Sequence, residues 1–101
     1  MSIVESKQNL LMYDEMDRIL FDQKIKMLKD GSYDVIYQDK RYLLSKQTLL
    51  HGKLIKLYAK ELGDNDFISL NYYSEIGEGL LKPCEMPQEK VIDFILTLSV
   101  K

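Results

Sequence analysis

Among its 101 residues the chain has one cysteine, one histidine and two prolines. A lone Cys84 forbids an intramolecular disulfide, which excludes a stapled secreted scaffold. Together with His51 it also falls short of a tetrahedral zinc site, which two carboxylates would have to complete. No apolar run approaches the ~18–20 residues that span a bilayer. The opening MSIVESKQNL lacks the basic region and apolar stretch of a secretory signal. The expectation is a soluble cytoplasmic protein with no membrane partner.

Motifs that carry chemistry are equally scarce. The Gly-Glu-Gly of EIGEGLL is followed by neither Lys-Ser/Thr nor a βαβ context, so it is no phosphate cradle. GDNDF crowds two acids and an amide, yet lacks the spaced ligands and closing glutamate of a calcium loop; turn geometry accounts for it. There is no Gly-x-Ser-x-Gly elbow. Cys84, in KPCEMP just before a predicted helix, could be activated by a helix N-terminus, but His51 is far away in sequence and a nucleophile pair would need the fold to join them. No catalytic residue, metal or cofactor is expected, and a small Cys-dependent enzyme ranks below two binding readings.

What the chain does have is ordinary globular composition and an uneven charge. The net charge of −2 gives no general attraction to nucleic acid or an acidic membrane. Residues 1–30 carry five basic against six acidic side chains, residues 31–62 six against three, and residues 63–101 three against seven. The middle is mildly basic and the tail acidic. A length of 101 residues fits one domain, 1–101.

Residues 5–29 read as a helix. Met12, Met16, Ile19, Leu20 and Met27 share one face at helical spacing with Tyr13 beside them, and Asp14, Arg18, Asp22 and Lys26 run opposite. Asp30-Gly31 supplies the stop. Period-two alternation follows: strands are expected at about 32–38, 41–48, 53–62 and 66–73. The stretch 47–62 also fits a helix from a Ser45 cap to Gly63. Gly52 and the β-branched and aromatic residues after it favour strands, as do two alternating runs joined by GDND. PQEKVIDFILTLSVK reads as a closing helix, about 87–99, with Pro87 at its first position.

The fold class expected is α+β: an N-terminal helix, a four-stranded antiparallel meander and a C-terminal helix. Both helices would cover the sheet face made by Val35, Leu43, Ile55, Leu57, Ile68 and Leu70. The opposite face would then display Tyr42, Lys46, Lys56, Tyr58, Lys60, Asn71 and Tyr73. Lysines among aromatic rings suit single-stranded nucleic acid, where bases stack and ammonium groups meet phosphates; strand surfaces also favour Tyr and Lys for simpler reasons. On the first helix, Leu10, Phe21, Ile25 and Leu28 lie off the main stripe. Either the second helix packs there or another subunit does, so they are the interface candidates. The leading reading is a non-enzymatic binding protein with a protein partner, a homodimer among the candidates; single-stranded nucleic-acid binding is the alternative.

Overall fold

Residues 54–61 form a strand, which settles the ambiguity of the central stretch. The computed structural model describes residues 14–101. Their elements are α1 (Glu15–Met27), β1 (Gly31–Tyr37), β2 (Lys40–Leu49), a single 3-10 turn (Leu50–Gly52), β3 (Leu54–Glu61), β4 (Phe67–Tyr73), β5 (Leu80–Pro83), α2 (Gln88–Thr97) and β6 (Ser99–Val100). The strands form one antiparallel sheet in the order β5-β4-β3-β2-β1-β6. The fold is α+β with both helices on the sheet, as expected, but the sheet has six strands rather than four. β5 lies in the stretch expected to be a connection, where it pairs with the free edge of β4. Pro83 is tolerated there because an edge strand has an unpaired side. The expected last helix ends early, at Thr97, and Ser99–Val100 pairs with β1 instead.

Why these residues turn where they do is visible in the backbone. Gln38 and Asp39 both take positive φ, 52° and 64°, and join β1 to β2 as a two-residue hairpin. Leu50, His51 and Gly52 do likewise between β2 and β3. Asp14 caps α1 by accepting the Asp17 amide at 2.9 Å, and Pro87 precedes α2 as its cap rather than standing at its first position. Gly79 is needed for space as well as for its φ of 108°, since a Cβ there would run into the Tyr72 hydroxyl.

Alternation sorts the sheet into two faces. Val35, Tyr37, Tyr42, Leu44, Ile55, Leu57, Ala59, Ile68, Leu70 and Tyr72 are buried on the helix side. Phe21 of α1 meets Tyr72 edge-on at 5.2 Å, and Tyr72 donates to Asp22 at 2.6 Å. Phe94 of α2 meets Tyr37 and Tyr42 edge-on at 4.9 and 5.5 Å. Two lysines finish the helices. Lys46 Nζ, from β2, donates to the carbonyls of Lys26 and Leu28 at the end of α1. Lys24 Nζ donates to the carbonyls of Leu96 and Leu98 at the end of α2, at 3.3 and 2.7 Å. Each satisfies carbonyls that a helix end leaves without a partner.

Two expectations about faces are corrected. In β2, Tyr42 and Lys46 are on the covered face, 2 % and 5 % exposed, and Leu43 is on the open one at 42 %. The hairpin pairs Val35 with Tyr42 and Tyr37 with Lys40, so the even positions of β2 share the face of Val35. In α1, Phe21, Ile25 and Leu28 are the buried side and Met16, Ile19, Leu20 and Met27 the exposed one, the reverse of the expected stripe. The helix turns its one aromatic ring onto Tyr72. Leu10, Met12, Tyr13 and the expected helix start at residue 5 lie outside the described residues.

Candidate functional site

The open sheet face is built in rows by the strand register. Gln47, Lys56, Asn71 and Lys82 lie side by side across β2–β5. Next to them run Ser32, Ser45, Tyr58 and Ser69 on one side and Leu49, Leu54, Tyr73 and Leu80 on the other. A further row holds Asp34, Leu43, Lys60 and Phe67. Tyr58 and Phe67 stack with ring centres 6.1 Å apart. The twisted sheet leaves a concavity of about 530 Å³ whose lining includes Ser45, Gln47, Lys56, Tyr58, Asn71 and Cys84.

The expected residues Lys56, Tyr58, Lys60, Asn71 and Tyr73 are therefore together on this face. Tyr42 and Lys46 are not. Tyr42 donates its hydroxyl to Asp66 at 2.6 Å; burial, then that hydrogen bond, raises its pKa. Burial pushes Asp66 up as well, but hydrogen bonds from Lys90 and Tyr42 outweigh it and hold the carboxyl below its usual range. Lys46 has its pKa lowered by desolvation, partly offset by Asp30 3.8 Å away. The Tyr42 hydroxyl and the Lys46 ammonium are spent on the covered face, although Lys46 also contributes to the lining of the concavity.

Lys82 and Phe67 belong to the open face although neither was expected there. Lys82 was hidden because its strand is four residues long and interrupted by proline. Lys56, Lys60 and Lys82 are exposed, and none of them makes an ion pair among the described residues. Arg41, by contrast, is held by Asp34 at 2.6 Å. Cys84 is half-buried beside Ser69, whose carbonyl accepts its amide at 2.9 Å. His51 is in the turn between β2 and β3 and does not line the concavity.

A second surface is the exposed side of α1. Met16, Ile19, Leu20 and Met27 are 61, 45, 44 and 80 % exposed and share one helix face as a ridge, with the exposed Gln23 between Leu20 and Met27. At its C-terminal end a groove of about 500 Å³ is lined by Lys24, Met27, Leu28, Lys29, Tyr33 and Val100. Along its N-terminal half a groove of about 360 Å³ includes Glu15, Arg18, Asp22 and Glu78, with Arg18 paired to Glu78. The periodicity of this stripe is plain in the sequence; its exposure is not.

Compared with known proteins, the chain matches no family model, no curated protein and no solved structure. Among the described residues no helix is long and apolar enough to cross a membrane, and no group of three His, Cys, Asp or Glu side chains is placed to hold a metal ion. Function must therefore be argued from the two surfaces.

Proposed function

We propose that the chain is a small non-enzymatic binding protein whose partner is a protein and whose contact surface is the α1 ridge. The observation that carries this is the exposure of Met16, Ile19, Leu20 and Met27 on one helix face. Isolated surface hydrophobics need no explanation, but four on one helix face make a contact surface in waiting. Fully burying such a side chain is worth about 1.5–3 kcal/mol, and these four, 44–80 % exposed, have that fraction of it still to gain from a partner. The interface candidates Phe21, Ile25 and Leu28 serve instead as the seat of α1 on the sheet.

The test replaces Leu20 by a photo-reactive benzoylphenylalanine in the producing cell, with the exposed Glu75 replaced as control. Irradiation is expected to join the chain to a protein through position 20 and not through position 75. A chain that keeps its own mass at position 20 would remove the proposal.

A second reading is favoured by one observation, three exposed lysines around Tyr58 and Tyr73 on the open sheet face that make no ion pair among the described residues. Under it, Lys56, Lys60 and Lys82 meet phosphates while the tyrosine rings accept bases. Single-stranded oligonucleotide should then bind at low salt, with log affinity against log salt falling with a slope of about −2 for three contacts. No binding at low salt excludes it.

A further inference from the structure

We infer that the ridge of α1 is met by the α1 of a second copy of the chain, packed antiparallel across a two-fold axis. This rests on the reading of the ridge as a protein-contact surface and names its occupant.

The ridge is complementary to itself when reversed. Its first turn carries Glu15 and Asp17, its last turn Lys24 and Lys26, with Lys29 just beyond. An antiparallel neighbour brings acidic ends beside basic ends on both flanks, whereas a parallel one sets like charges together and aligns the helix dipoles. Residue spacing gives the same register. With Leu20 opposite the other copy's Gln23, Met16 faces Met27 of that copy, since both pairs are symmetric about one point. In this register Glu15 of one copy approaches Lys26 of the other; Lys24 is already engaged within its own chain, donating to the carbonyls that end α2.

The grooves fit the same arrangement. Met16 of one copy projects onto the apolar groove floored by Met27, Leu28, Tyr33 and Val100 of the other, with Lys29 at its rim to meet an acidic side chain of the first. On the opposite flank, Lys26 comes beside the groove of Glu15, Arg18, Asp22 and Glu78, where Glu15 is the carboxylate left to meet it, since Asp22 holds Lys26 of its own chain at 2.9 Å and Glu78 holds Arg18. A helix of 13 residues is only about 20 Å long, so the contact is smaller than a standard interface. The dissociation constant is expected on the order of 10 µM.

Light scattering and sedimentation of the purified full chain across micromolar concentrations test this. The weight-average mass should rise from one chain to two. Leu20→Lys should weaken association about tenfold or more, because it sets a charge where an apolar side chain is buried. Leu43→Lys, on the open sheet face, should leave it unchanged. Glu15→Lys and Lys26→Glu should each weaken it, and the double exchange should restore it. In a Cys84→Ser background, mild oxidation of mixed Met16→Cys and Met27→Cys chains should give a linked dimer. Met16→Cys alone should not link, because antiparallel packing holds the two copies of residue 16 about 16 Å apart.

Ready linkage of Met16→Cys to itself, or a dimer indifferent to Leu20→Lys, would overturn the antiparallel pairing. So would a strict monomer, whether the ridge is then met by residues 1–13 of the same chain or by a different protein. A monomer that still forms a position-20 adduct with another protein would leave the proposed function standing; with no adduct at all, both fail.

Discussion

Phe94→Ala is expected to lower the unfolding free energy by about 3–5 kcal/mol, a large part of the ~5–15 kcal/mol that holds a domain of this size together. Phe94 is fully buried and stands edge-on to both Tyr37 and Tyr42, which are themselves edge-on at 5.8 Å. Truncation loses the transfer of the ring from water and leaves a hole that two rigid neighbours cannot fill, because Asp93 holds the Tyr37 hydroxyl and Asp66 that of Tyr42. Urea unfolding should show the midpoint falling with little change in slope. Phe94→Leu, which keeps most of the volume, should cost less than half as much, and Leu43→Ala on the open face should stay within about 0.5 kcal/mol. If Phe94→Ala costs under about 1 kcal/mol, α2 does not seat on this cluster.

The contrast between Leu43 and Tyr42 also shows where sequence reasoning reaches its limit. Apolar content favours Leu43 for the core, and it is exposed; Tyr42 and Lys46 carry polar heads, and they are buried. Their heads have partners that no local pattern displays: Asp66 from beyond β3 for one, the carbonyls at the end of α1 for the other. Hairpin parity was available, though. Any even-numbered loop after Tyr37 sets Tyr42 on the face of Val35, and a one-residue slip inverts a whole strand. In β3 and β4 the alternation of Ile55, Leu57 and Ala59 with Lys56, Tyr58 and Lys60 left no such conflict, so that part of the candidate face was legible.

Helix rotation failed for another reason. Phe21, Ile25 and Leu28 are spaced as well for a buried face as Met16, Ile19, Leu20 and Met27. Periodicity ranks two apolar faces by the number of residues on each, whereas packing ranks them by shape. The face with the aromatic ring matched Tyr72, and the methionine-rich one was left outside. β5 and β6 were unreadable because two- and four-residue strands have no periodicity of their own; the free edges of β4 and β1 define them. The apolar ridge on which the proposed function rests is therefore the surplus of a helix that carries two such faces, of which the sheet covers one.

Above pH 10 the protein is expected to lose stability steeply, and two tyrosines are the main cause, with the half-buried Tyr33, raised by desolvation and then by Asp30, acting in the same sense. Tyr37 and Tyr42 are 6 % and 2 % exposed, and each donates its hydroxyl to a carboxylate, Asp93 and Asp66, at 2.6 Å. Burial first, and then the hydrogen bond to an anion, raises both above the ordinary value of 10. A group raised in the folded state contributes stability that is complete below its unfolded pKa and is lost as pH climbs toward the folded one. Each tyrosine therefore removes about 1.4 kcal/mol per pH unit above 10, about 2.7 for the pair. Lys24 and Lys46 act in the opposite sense. Desolvation lowers both from 10.5, so the folded state sheds their protons first and stability rises as pH approaches 10.5, then gains nothing further. The two effects partly cancel just above pH 10, and only the tyrosines remain beyond 10.5. Urea midpoints between pH 9 and 11.5 should show a shoulder followed by a steep fall. Tyr37→Phe with Tyr42→Phe should flatten that fall while costing about 1.5–3 kcal/mol per lost hydrogen bond to a carboxylate at neutral pH. A wild-type profile that stays level above pH 10.5 would mean the two hydroxyls are open to water, and the aromatic seat of α2 with them.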